Sequence, residues 1–229
     1  MPTTFNLQWD VSGEREYELG VSRGVLFPMS NGSYQNGVAW NGLTGVDENP
    51  DGGDIRDIWA DNIKYASFQS PENHKGNIKA YMFPDEFYPC NGMIAPSGMP
   101  GLVYGGQKRA SFGFIYRTEV GTDVDEGAGY KLHFVYNCRV QPSSRSFATK
   151  NESSDPEEMS WDYSSTPVPV TGVTGVEQTS TVEVKSTDFT AAQMTALEEY
   201  IYGKGTTPAA MPTPGQIYTI LSEAASSNP

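Results

Sequence analysis

From Tyr130 to Val140 the chain alternates: Tyr130, Leu132, Phe134, Tyr136, Cys138 and Val140 fall on one side, Lys131, His133, Asn137 and Arg139 on the other. A period of two is the mark of a strand with one face in a core, because successive side chains point to opposite faces of a sheet. A helix, with its period of 3.6, would spread the same residues around its whole circumference. Shorter runs of the same kind occur at residues 15–21, 78–83, 110–119, 159–163 and 179–185, and turn pairs such as Asn31-Gly32, Asn41-Gly42, Asn91-Gly92 and Gly105-Gly106 punctuate the chain. With 24 glycines and 16 prolines in 229 residues, the composition fits many short elements and opposes a helical bundle or coiled coil. The expected fold is mainly β, a sandwich or barrel of packed antiparallel sheets.

Helix signals sit near the end. Thr190-Ala-Ala-Gln193 has the spacing of a capping box, in which the hydroxyl accepts from a first-turn amide and the glutamine reaches back. Met194, Leu197 and Ile201 then recur on one face and Gly203 stands where a C-terminal cap belongs, so one flanking helix is expected near residues 190–202. A possible short C-terminal helix opens at Thr213-Pro214 and carries Ile217, Ile220, Leu221 and Ala224 on one stripe. The expected organisation is a β domain over residues 1–205 followed by a C-terminal tail or short helix over 206–229.

The chain has 28 acidic against 15 basic residues, a formal charge of −13, and no dense Lys/Arg stripe. It therefore lacks the means to release counterions from a polyanion, which makes DNA or RNA a poor tightly bound ligand. No apolar run is long enough to span a bilayer, and the start, Met1-Pro-Thr-Thr-Phe-Asn-Leu-Gln-Trp-Asp10, has neither the basic nor the apolar part of a signal peptide. The expectation is a protein made in the cytoplasm, without membrane insertion and with Cys90 and Cys138 unbridged.

Catalytic patterns are scarce. Only His74 and His133 could serve a Ser-His-Asp or Cys-His arrangement; His74 reads as a solvated turn histidine and His133 as a surface or interface residue on the polar face of its strand. No nucleophile elbow, His-Glu-x-x-His, Cys-x-x-Cys or phosphate loop occurs, so nucleophilic, zinc and nucleotide chemistry have no support in the sequence and no cofactor is expected. Residues 41–61 read as a long, polar, acidic loop. Compact domains rarely keep such a loop without using it. Asp47-Glu-Asn-Pro-Asp-Gly52 opens like a calcium loop, yet its twelfth position is Ile58 rather than a bidentate glutamate, which excludes an EF-hand. A looser cation site from Asp47, Asp51 and Asp54 stands beside the simpler view of a solvated acidic turn. The same stretch supplies the candidate inter-subunit contact residues Asp47, Asp51, Asp54, Asp57 and Trp59. Four tryptophans and 13 tyrosines would also suit a carbohydrate-binding β-sandwich, or less readily a small glycoside hydrolase.

Several ordered stretches carry a resemblance: Gly20-Val-Ser-Arg-Gly-Val-Leu-Phe-Pro28, Gly37-Val-Ala-Trp-Asn-Gly-Leu-Thr-Gly-Val46, Trp59-Ala-Asp-Asn-Ile-Lys-Tyr65, Ala80-Tyr-Met-Phe-Pro-Asp-Glu-Phe87, Gly129-Tyr-Lys-Leu-His-Phe-Val-Tyr136 and Thr166-Pro-Val-Pro-Val170. In that order, over about residues 5–205, the chain resembles the major tail (tail tube) proteins of long-tailed phages of Gram-positive bacteria. It departs after Phe87, where Tyr88-Pro-Cys-Asn-Gly92 leads into a Met/Pro/Gly-rich segment in place of the family's usual acidic turn. The resemblance implies the phage tail tube fold and a non-enzymatic virion protein whose hexameric rings stack into a hollow tube. It implies a tape-measure protein in the lumen, tail-terminator and distal tail proteins at the tube ends, and DNA passing through without sticking. On that footing the acidic excess becomes an expectation about a surface: carboxylates lining a channel that repels DNA.

Overall fold

The computed structural model describes residues 7–99, 101–147, 149 and 156–226. The chain opens with β1 (Glu16–Ser30), β2 (Ser33–Tyr34) and β3 (Val38–Trp40). Six strands follow, the first three within residues 41–61, which the sequence suggested were a loop: β4 (Leu43–Glu48), β5 (Asp51–Gly52), β6 (Ile55–Ala60), β7 (Ile63–Gln69), β8 (Glu72–Asn73) and β9 (Lys75–Ala80). After a 3-10 turn at Asp85–Phe87 come β10 (Phe112–Thr122), β11 (Gly129–Val140), β12 (Met159–Ser165), β13 (Val168–Pro169), β14 (Gln178–Thr179) and β15 (Thr181–Lys185). The helices α1 (Ala191–Tyr202) and α2 (Pro214–Ser226) close it. The mainly β architecture with a flanking helix and a short C-terminal helix is as expected.

One antiparallel sheet organises the body, running β2-β1-β10-β11-β12-β9-β4 with β3 added to β1 and β15 to β11. β11 is shared: its first half pairs with β15 and its last three residues pair with β12. The sheet therefore divides, and each face of β1, β10 and β11 receives its own cover. On one face, Leu26, Phe112, Phe114 and Val135 pack with Trp40, Phe87, Ile78, Trp161 and Tyr163 from β3, the 3-10 turn, β9 and β12. The rings meet edge-on, as their quadrupoles favour: Phe87 and Trp161 lie 5.4 Å apart at 80°, Trp40 and Trp161 5.7 Å apart at 66°. On the other face Val25, Phe27, Ile115, Leu132, Phe134 and Val184 pack against the two helices.

Strand β11 corrects the single-faced alternation expected of it. Phe112 pairs with Cys138 but Phe114 with Val135, so β11 holds one more residue than β10 over that interval. Asn137, at φ 47°, marks the bulge, and its displaced amide donates to Tyr34 Oη at 2.9 Å. One extra residue inverts the pattern. Leu132, Phe134 and Tyr136 face the helices, whereas Cys138 and Val140 face the aromatic core.

The helices form for local reasons and stay for tertiary ones. Thr190 and Gln193 make the anticipated reciprocal cap, and Gly203 ends α1 at φ 80°. Thr213 and Gln216 repeat the cap on α2, the Gln216 amide donating to Thr213 Oγ1 at 3.2 Å and the Thr213 amide to Gln216 Oε1 at 2.8 Å. Gln193 is buried and its Nε2 donates to the Leu221 carbonyl at 2.8 Å, which ties α1 to α2. Met211, Ile217 and Leu221 lie in the same cluster as Leu197 and Ile201, so residues 211–221 pack within the body rather than apart from it. Among the described residues, no helix is long and apolar enough to cross a membrane.

Candidate functional site

Residues 41–61 are not a loop. The ladder that begins with Leu43 opposite Ala80 and runs to Glu48 opposite Gly76 continues as Asp51 opposite Asn73, then Ile55 opposite Gln69, and ends at Ala60 opposite Ile63. The segment is one long antiparallel ribbon whose base belongs to the main sheet and whose outer part pairs only with itself. Twelve residues, 49–60, form the outgoing limb beyond the sheet, a reach of up to about 40 Å for extended chain. Asp61 and Asn62, both left-handed at φ 51° and 62°, make the tight two-residue turn at the tip. Gly52, in β5, has a φ of 96°, and a Cβ there would fall 2.5 Å from the Pro71 carbonyl oxygen.

Register defines the arm's faces, because residues opposite each other share one. Ile58, Ala60, Ile63, Ala66 and Phe68 lie together on one face, with Arg56 at its base. Asp57, Trp59, Lys64 and Ser67 lie on the other, where Asp57 accepts from Ser67 Oγ and Lys64 Nζ, both at 2.8 Å. Tyr65 is the extra residue of a bulge between the Ile58 and Trp59 pairs. Exposure is high throughout: Ile55 69%, Trp59 66%, Ile63 61%, Tyr65 71% and Phe68 58%. A two-stranded hairpin alone in water is marginally stable, and these side chains stabilise nothing while they face solvent. Contiguous apolar exposure of this kind marks an interaction surface.

The structure separates the candidate residues into two groups. Asp47 lies on β4 within the body and pairs with Lys79 at 2.7 Å, whose pKa it raises by hydrogen bond and charge. Asp51 is on β5 and pairs with Lys75, whose hydrogen bond and charge hold the carboxyl below the usual range. Asp54, exposed, takes part in the ribbon through its carbonyl, which accepts from the Ser70 amide at 2.9 Å. Asp57 and Trp59 sit on the arm proper. Asp47 and Asp51 thus have a lysine each, and among the described residues no three His, Cys, Asp or Glu side chains converge as metal ligands. The sequence reading missed Ile63, Tyr65 and Phe68, although the Asp61-Asn62 turn between two apolar runs was a usable hairpin signal.

Both histidines are corrected. His74, expected in solvent, is buried between β8 and β9 with Nε2 3.3 Å from Tyr163 Oη, and burial holds its pKa below the ordinary value. His133, on the polar face of β11, is also buried, stacked parallel on Tyr116 at 4.5 Å. Its Nε2 lies 2.8 Å from Thr118 Oγ1 and 3.0 Å from Glu18 Oε1, while Thr118 donates to that carboxylate at 2.6 Å. The hydroxyl proton points at Glu18 rather than at imidazole, so the group is an ion-pair network joining β1, β10 and β11, not a nucleophile and its base. Burial raises the Glu18 pKa, but hydrogen bonds from Lys131 and Thr118 and the charge of Lys131 outweigh it and hold the carboxyl below its usual range. The two cysteines are free and buried, and burial pushes the Cys90 thiol up to about 12, far from a reactive thiolate. The feature that stands out functionally is the arm. Compared with models of known protein families and with curated proteins, the sequence matches none.

Proposed function

We propose that this chain is a self-assembling structural subunit that forms stacked hexameric rings, the hollow DNA-conducting tail tube of a long-tailed phage. The observation that carries the proposal is the arm: a ribbon rooted in a rigid sheet, offering Ile55, Ile58, Trp59, Ile63, Tyr65 and Phe68 to a neighbour. Burying such side chains contributes about 1.5–3 kcal/mol each. Contact between an arm and a different surface of the next copy is heterologous, and heterologous contacts make rings or filaments. The formal charge of −13 supports passage of DNA along the wall without adhesion. The sequence resemblance adds the partners: a tape-measure protein inside, tail-terminator and distal tail proteins at the ends, and residence in the virion without catalysis.

Negative-stain microscopy of purified protein tests the proposal. Rings or hollow tubes are expected from the wild type, and only discrete folded monomers from a chain in which residues 53–71 are replaced by an Asn-Gly turn. Tubes from the shortened chain would remove the arm's role. Wild-type monomers at every concentration, binding host-wall glycan through Trp59 and Tyr65, would replace the proposal with the carbohydrate-binding alternative.

A further inference from the structure

Away from the arm, two arginines share a cavity of about 280 Å³ with Asn91, Gly92, Met93, Gly105, Gly106 and Ser143. Arg109 is fixed there by its backbone: the Ala110 amide donates to the Pro89 carbonyl at 3.0 Å and the Gln107 amide to the Gly92 carbonyl at 2.9 Å. The side chain lies against Gly92, whose φ of 72° favours glycine and where a Cβ would come to 3.3 Å from the Arg109 Cζ. Its Nε is buried and has no hydrogen-bond partner. Arg145 lines the same cavity, its Cζ 5.3 Å from the centre of the Phe83 ring.

Arg15, Lys64, Lys75, Lys79, Lys131, Lys185 and Lys204 each have a carboxylate within 4.0 Å. Like Arg23, Arg56, Lys108, Arg117 and Arg139, Arg109 and Arg145 have no carboxylate within 4.0 Å among the described residues; what sets these two apart is that they line one cavity together. In a chain with nearly twice as many acids as bases, two arginines lining one cavity with no counter-charge among the described residues, one with an orphaned buried N–H, form an incomplete site. The planar forks of arginine match the two oxygens of a carboxylate or the oxygens of a phosphate.

We propose that the Arg109–Arg145 cavity is an oxyanion-binding site whose occupant is a carboxylate presented by a second copy of the chain. The oxyanion chemistry stands on the cavity itself; its source in a second copy rests on the self-assembly proposed above. The surplus of acids makes a neighbouring copy a ready supplier, and the site would then fix the register of packed subunits while the apolar arm supplies the hold.

Two measurements separate these parts. Titration of dilute, monomeric protein with inorganic phosphate, followed by NMR of the arginine Nε–H signals, is expected to move Arg109 and Arg145 saturably, with the Arg109 response lost in Arg145→Glu. Unmoved signals would overturn the oxyanion site whatever the state of assembly. Sedimentation velocity across a concentration series is expected to show Arg109→Glu/Arg145→Glu, and the more conservative surface change Arg145→Glu alone, associating only at about tenfold higher concentration than wild type, with the melting temperature of the single variant unchanged. Association at wild-type concentrations would overturn the second copy as the source and leave free phosphate as the ligand. A wild type that never associates would defeat the assembly proposal, and with it the second-copy source, while the phosphate titration still decides the cavity.

Discussion

Two tryptophans divide the molecule. Trp161, at 0% exposure, sits in the aromatic cluster among Trp40, Phe83 and Phe87, whereas Trp59, at 66%, stands on the arm. The same residue type is a structural keystone in one place and a free contact in the other. The body buries its apolar groups on both sides of β1, β10 and β11; the arm, a lone pair of strands, has no second layer to bury them against. Stability of the monomer therefore resides in the body, and the arm's apolar residues become stabilising only on contact with something else.

Substitution at the two tryptophans would break or confirm that division most strongly. Trp161→Ala is expected to cost about 3–5 kcal/mol in urea unfolding, through lost burial and the cavity left behind. Trp59→Ala is expected to stay within about 0.5 kcal/mol in the same experiment. Equal losses at both sites would mean the arm packs within the monomer. Next in size, Gly52→Ala forces a left-handed φ on an alanine against the Pro71 carbonyl, a strain of about 1–3 kcal/mol confined to the ribbon. Amide hydrogen exchange should quicken at β6 and β7 while β10 and β11 keep their protection. Quickening across both regions would show one cooperative unit.

Smaller still, Thr190→Ala removes the cap of α1 and should lower global stability by about 1 kcal/mol, measured as a shift in the urea midpoint. An unchanged midpoint would place the helices outside the body's cooperative unit. The smallest effect is one of pH. The folded-state pKa of His74 is held down by burial, so the unfolded chain binds more protons below about pH 6.5, and stability falls as pH drops from there towards the lowered value. The wild-type melting temperature should decline more between pH 7 and 5 than that of His74→Gln. Parallel profiles would exclude His74 as a source of acid sensitivity.

Legibility in the sequence followed the range of the forces involved. The Thr190–Gln193 cap acts over three residues and was readable in full; Thr213–Gln216 has the same spacing and was equally readable, though only its proline was noticed. The alternation in β11 located the strand but not the bulge at Asn137, because a left-handed asparagine leaves no trace in a pattern of polar and apolar letters. Residues 41–61 looked like a loop because their acids and glycines dilute any period of two. What makes them strands is the partner limit, residues 63–80, whose pairing supplies the hydrogen bonds. Of the candidate residues, Asp57 and Trp59 lie on the arm, while Asp47 belongs to the body, a distinction set by where the ribbon leaves the sheet.

The sequence by itself determined that this is an antiparallel β protein with capped helices at its end, because strand periodicity, caps and turns are written within a few neighbouring residues. Only the tertiary structure decided which faces are closed, that His74 is buried, that Arg109 and Arg145 line one cavity, and that the limb of residues 49–60 leaves the body. Those outcomes depend on contacts between residues far apart in the chain, and their energies depend on what water each contact displaces, which no local pattern of residues records.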